Sequence, residues 1–146
     1  MEVDKLQLLI QSGDLGPSWF HVSLRALVLL SKSDSLMKSH VIAEALGVDT
    51  TYIRKILASL SKAQLVTTVS GRYGGYALSK KASDITVGDV YRAPGKGQTT
   101  PYWSVPKTGT EKMISMILAK AEEQFQSVLN SYTIEDVAQQ AHLFGP

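Results

Sequence analysis

Residues 39–76 read SHVIAEALGVDTTYIRKILASLSKAQLVTTVSGRYGGY, and the hydrophobic period changes inside that span. The first part has helical spacing. Ser39 is a favoured N-cap type, Val41, Ile42 and Leu46 make an apolar face, and Gly47 supplies a left-handed stop. Asp49 is placed to cap a second helix, in which Ile53, Ile56, Leu57 and Leu60 recur at offsets of three and four. At about 100° per residue, Thr51, Lys55, Ala58 and Lys62 fall opposite that stripe, with Arg54 on its flank. The pattern then becomes strand-like. Residues 64–69 are rich in β-branched side chains, and residues 76–78 form a second short run. The tip between them, residues 70–75, holds three glycines and one charge, Arg72. Helix, tight turn, helix and β-hairpin predict a winged helix-turn-helix: mainly α, with a small hairpin as the wing. Such a unit lays its second helix in the major groove of DNA, while the wing reaches the backbone or the minor groove.

Charge follows the same outline. The 146 residues carry 15 Lys/Arg and 13 Asp/Glu, a net of +2. Residues 20–93 hold ten bases against five acids, whereas residues 1–19 are net −2 and residues 94–146 net −1. No acid falls between Asp49 and Asp84, a window with six bases. That is the electrostatic footprint of a phosphate-binding surface, the alternative being an ordinary solvated face. Docking of this type places Thr50, Thr51, Arg54 and Lys55 near base edges of a double-stranded DNA operator. Lys62, Arg72, Lys80 and Lys81 are then the candidates for phosphate contacts.

The order Leu46-Gly47-Val48, Tyr52-Ile53-Arg54, Leu57, Leu60, Leu65-Val66 and Gly71-x-x-Gly74-Gly75-Tyr76-x-Leu78, with the later Ile85-Thr86-Val87-Gly88-Asp89-Val90, resembles the Rrf2 family of bacterial transcription regulators. The resemblance covers residues 20–93 well and the C-terminal helix more loosely. It implies a homodimer that represses by occluding a promoter. Several relatives hold an iron–sulfur cluster through cysteines in the loop before the long helix. This chain has no cysteine, and its loop offers Thr99, Thr100, Pro101, Tyr102, Trp103 and Ser104 instead, so no cluster cofactor is expected. Relatives also commonly place a basic residue just before the first wing glycine. Ser70 stands there in this chain, and Arg72 two positions later takes over the charge, either at a phosphate or in an A·T-rich minor groove.

The remaining segments divide the chain into a leader (1–18), the winged helix-turn-helix (19–93), a loop (94–110), and a dimerisation helix with a final short helix (111–146). In the leader, Leu6, Leu8, Leu9 and Ile10 suit one or two helical turns before a Gly/Pro break. Residues 19–31 read as the first core helix, with Phe20, Leu24, Leu27, Val28 and Leu30 inward. Thr86-x-x-Asp89 and Thr133-x-x-Asp136 have capping-box form. Residues 111–131 carry a wide apolar stripe of Met113, Ile117, Leu118, Ala121, Phe125 and Val128, which suits burial against a second copy of the helix.

Enzyme signatures are missing. The glycines 71, 74 and 75 lack dinucleotide-loop spacing and a following helix, and His21, His40 and His142 share no metal-ligand spacing. Tyr91, Tyr102 and Trp103 are either the lining of a small-molecule pocket or packing residues under the loop. No apolar run reaches transmembrane length and no secretory leader is legible, which points to a cytoplasmic protein without a membrane partner. The rival to a DNA-binding regulator is a winged-helix protein-interaction module that does not touch DNA.

Overall fold

The computed structural model describes residues 18–95 and 108–141. Helix α1 (Ser18–Ser31) is the central element, because Val22, Ser23, Ala26, Leu27 and Leu30 are all buried along one stripe. Two helices follow, α2 (Ser39–Leu46) and α3 (Thr50–Lys62). Ile53, Ile56, Leu57 and Leu60 of α3 face inward, as their spacing requires.

The start of α2 corrects one expectation. Its N-cap is Lys38, in extended conformation and without a side-chain cap bond, so Ser39 is already the first helical residue. Val41 also departs from the predicted inward face and is 40% exposed, while Ala43 is buried in its place.

Helices α2 and α3 end in the same way. After α2, Val48 N–H bonds Ala43 C=O at 3.0 Å and Gly47 N–H bonds Glu44 C=O at 3.2 Å, with Gly47 left-handed at φ 71°. After α3, Leu65 N–H bonds Leu60 C=O and Gln64 N–H bonds Ser61 C=O, both at 2.9 Å. These are paired Schellman closures, which need one left-handed residue each. Gln64 fills that role after α3 at φ 66°. The first strand is therefore shorter than its sequence run, since residues 64 and 65 are spent on closing the helix.

The hairpin comprises β1 (Val66–Val69) and β2 (Gly75–Leu78), antiparallel with Val66 opposite Leu78 and Val69 opposite Gly75. Met37 and Tyr76 exchange backbone hydrogen bonds of 3.0 and 2.8 Å, which ties the hairpin to the segment before α2. A side chain at Gly75 would run into the Met37 backbone, so this approach needs a glycine.

Beyond the wing come a 3-10 turn (Ala82–Asp84), α4 (Val87–Tyr91), the 22-residue α5 (Gly109–Asn130) and α6 (Ile134–Gln140). Capping boxes open all three helices, from Thr86, Thr108 and Thr133. The Thr108 cap starts α5 two residues before the predicted Glu111. Thr86 and Thr133 also pair as an antiparallel bridge, with Val87 N–H on Tyr132 C=O and Ile134 N–H on Ile85 C=O, each 2.8 Å. The sequence pattern groups α6 with the dimerisation helix. Instead Ile134 is fully buried in the same core as Leu27, Ile42 and Leu57, and α6 lies on α1. Among the described residues no helix is long and apolar enough to cross a membrane.

Candidate nucleic-acid interface

The α3 surface is built by its two ends. The Asp49 carboxylate accepts the Tyr52 N–H at 3.2 Å, which fixes where the helix begins. From there Thr51, Arg54, Lys55 and Lys62 are exposed and Thr50 is partly buried. Arg54 donates through Nε to the Ser39 hydroxyl at 3.3 Å, so its side chain is held toward α2 while its terminal nitrogens stay available.

The wing carries the second set of cations. Arg72 lies over the Tyr73 ring, 5.5 Å from its centroid, and Tyr73 is 84% exposed. Lys38 donates through Nζ to Gly71 C=O at 3.1 Å and so anchors the tip to the start of α2. Lys80 and Lys81 are exposed just after β2. Among the described residues the side-chain ion pair is Arg92 with Asp89 at 3.1 Å, which leaves Arg54, Lys55, Lys62, Arg72, Lys80 and Lys81 without a carboxylate partner. An exposed cation that is not neutralised by its own chain keeps its full attraction for a phosphate.

Three residues of this surface were not singled out by their sequence positions. Ser39 and Lys38 act through contacts made 15 and 33 positions away, for which no local signal exists. Tyr73 did carry a signal, an aromatic beside the only arginine of a glycine-rich tip.

The candidate dimer face behaves differently from a core helix. No residue of α5 is buried, and Met113, Ile117, Leu118, Ala121, Phe125 and Val128 are all exposed on a single protomer. Helix α5 is fastened to the body through α4. Phe125 meets the Tyr91 ring edge-on at 5.1 Å, and Arg92 Nη1 donates to Gln126 at 2.6 Å and Asn130 at 3.0 Å. Tyr91 also packs edge-on against Phe20 at 5.4 Å. Tyr102 and Trp103 lie outside the described residues.

Together these elements define a winged helix-turn-helix regulator with an outlying helix. The chain belongs to the Rrf2 family: the family model described as an iron-dependent transcriptional regulator matches residues 18–140. YwgB of Bacillus subtilis (strain 168), assigned as an HTH-type transcriptional regulator, is 26% identical over 125 residues, 79% of this chain and 78% of that protein. The structure of IscR from T. potens matches with a TM-score of 0.71 at 25% identity, over 93% of this chain and 94% of the other. CymR, the global cysteine regulator of B. subtilis, shares the fold with a TM-score of 0.69 at 24% identity, over 86% and 96%. The protein is a DNA-binding transcription regulator.

The iron in the family description meets a donor set that does not suit it. A biological iron–sulfur cluster is held chiefly by cysteine thiolates, and the sequence contains none. Among the described residues no three His, Asp or Glu side chains gather in a way that could hold a metal ion.

Proposed function

We propose that the protein is a cytoplasmic, sequence-specific repressor that binds its operator as a homodimer and works without an iron–sulfur cluster. In this reading α3 lies in the major groove, with Thr50, Thr51, Arg54 and Lys55 at base edges. Lys62, Arg72, Lys80 and Lys81 meet phosphates, and bound protein occludes a promoter. The exposed stripe of α5, from Met113 to Val128, seats a second copy of the same helix. The observation that carries the reading is the acid-free window from Asp49 to Asp84, whose six cations are all exposed and none is paired with a carboxylate among the described residues.

Duplex affinity measured at two salt concentrations tests it. Neutralised phosphates release counterions, so binding through six to ten phosphates should fall by about 10³- to 10⁵-fold between roughly 50 and 200 mM salt. Failure to bind any selected duplex at the lower salt would reject the proposal.

A further inference from the structure

Beside α3, on the flank away from Arg54, there is a cleft of about 240 Å³ between the start of α1 and the chain just after α4. Its walls are apolar: Trp19, Ile56, Ala93 and Pro94. Its polar groups are few. Lys55 and Ser59 come from α3 and Ser23 from α1. An apolar cavity with a few convergent polar groups is the usual form of a small-molecule site.

Ser23 is the informative member. It is only 3% exposed, yet its hydroxyl takes no hydrogen bond within the protein among the described residues. No fully enclosed side-chain polar atom there is left without a partner, so this oxygen retains a little exposure, and Ser23 is one of the residues lining the cleft. A ligand oxygen could supply the hydrogen bond that the protein does not. Lys55 supplies a cation with no carboxylate partner among the described residues. Size sets the other limit. At the ~30 Å³ share of a water, a space of about 240 Å³ holds roughly eight water-sized groups, below a drug-sized ligand.

We propose that the cleft is an effector site for a small carboxylate with an apolar body, about the size of benzoate. The carboxylate meets Lys55 and the Ser23 hydroxyl, and the body lies against Trp19 and Ile56. The regulatory half of this inference rests on the reading that Lys55 also serves DNA. Carboxylate and duplex then compete for one ammonium group, and linkage requires each to weaken the other by the same factor.

Fluorescence makes the test direct. The chain has two tryptophans, so Trp103→Phe leaves Trp19 as the reporter in the cleft. Benzoate should change that signal saturably, and benzamide, its neutral counterpart, should bind about tenfold more weakly or worse. Lys55→Gln should erase the difference between them. Ser59→Leu fills the cleft from a position outside the DNA-contact set. It should abolish the benzoate response while leaving duplex affinity intact. On the unmodified protein, saturating benzoate should lower affinity for a duplex selected from random sequence by about fivefold or more.

Equal binding of benzoate and benzamide overturns the anion site, and so does the absence of any saturable signal, whether or not Ser59→Leu folds. Charge-selective binding that leaves duplex affinity unchanged overturns the regulatory half alone. A protein that binds benzoate but no duplex keeps the site and rejects the DNA reading.

Discussion

Arg54 of α3 bonds Ser39 of α2, Nε to hydroxyl at 3.3 Å, a direct side-chain link across the helix-turn-helix at its exposed surface. The bond limits the swing of the guanidinium without using its terminal nitrogens, the pair that can engage guanine at two points. We predict that Arg54→Ala relaxes sequence preference, with a loss of about 1–3 kcal/mol on the selected duplex and little on random DNA. Ser39→Ala should shift preference the same way by about 0.5 kcal/mol, since only the hold on Arg54 is lost. Lys62→Ala should weaken all duplexes alike. Equal losses on selected and random DNA for both Arg54→Ala and Lys62→Ala would contradict the division of roles.

The wing offers a second contrast. Arg72 is the sole charge on the glycine-rich tip and rests over Tyr73. A narrow A·T-rich minor groove has enhanced negative potential that draws in an arginine. Arg72→Ala should therefore cost more affinity on A·T-flanked than on G·C-flanked duplexes. A loss independent of the flanks leaves only a phosphate contact, and no loss means that the wing does not meet DNA.

Ile117 sits mid-stripe on α5 and is 54% exposed on the single protomer. If a second copy covers it, Ile117→Glu buries an unpaired charge, at several kcal/mol. Sedimentation should then show a folded monomer at concentrations where the parent protein is a dimer. Phe125→Glu should also dissociate the dimer, but it removes the ring contact with Tyr91 too and should loosen α5 from its own body. An unchanged dimer for Ile117→Glu sinks the proposed seam.

Gln64 holds a left-handed conformation that disfavours an L side chain by roughly 1–2 kcal/mol. Its backbone N–H and the next one close α3, and neither bond uses the side chain. Gln64→Gly should relieve that strain, and after the ~0.5–1 kcal/mol cost of glycine's extra flexibility in the unfolded chain the net gain should be up to about 1 kcal/mol. For a chain of this size the midpoint of thermal unfolding should rise by up to roughly 2–4 °C. A lower midpoint would show that the Gln64 side chain makes a contribution outweighing the strain.

The purified protein should be colourless, because thiolates are absent. A visible absorption band that survives dialysis, with near-stoichiometric iron, would refute a cluster-free regulator.

Much of the fold is written locally. The stripe Ile53, Ile56, Leu57 and Leu60, the Asp49 cap, the Gly47 stop and the glycine-rich tip each depend on residues within a few positions of one another, so their periods and cap types predict helix, turn and wing directly. The exposed basic face follows from the same periodicity, since the side of α3 opposite its apolar stripe must meet solvent. What escaped was either conformationally unmarked or distant in sequence. Gln64 closes a helix in a conformation that residue type does not announce. Ser39 looks like a cap but becomes a partner of Arg54, because Lys38 is drawn into extended backbone beside the Met37–Tyr76 bridge. Helix α6 has the same capping-box signature as α4, and nothing in that signature says whether Ile134 is to be buried beside α5 or under α1. The Thr86–Thr133 bridge decides it, across 46 intervening residues. The cleft at Lys55 is more distant still from local pattern: its walls come from three separate segments. Hydrophobic periodicity specifies which side of an element must be covered, while the element that covers it, and the gaps left between them, are set only when all the segments pack at once.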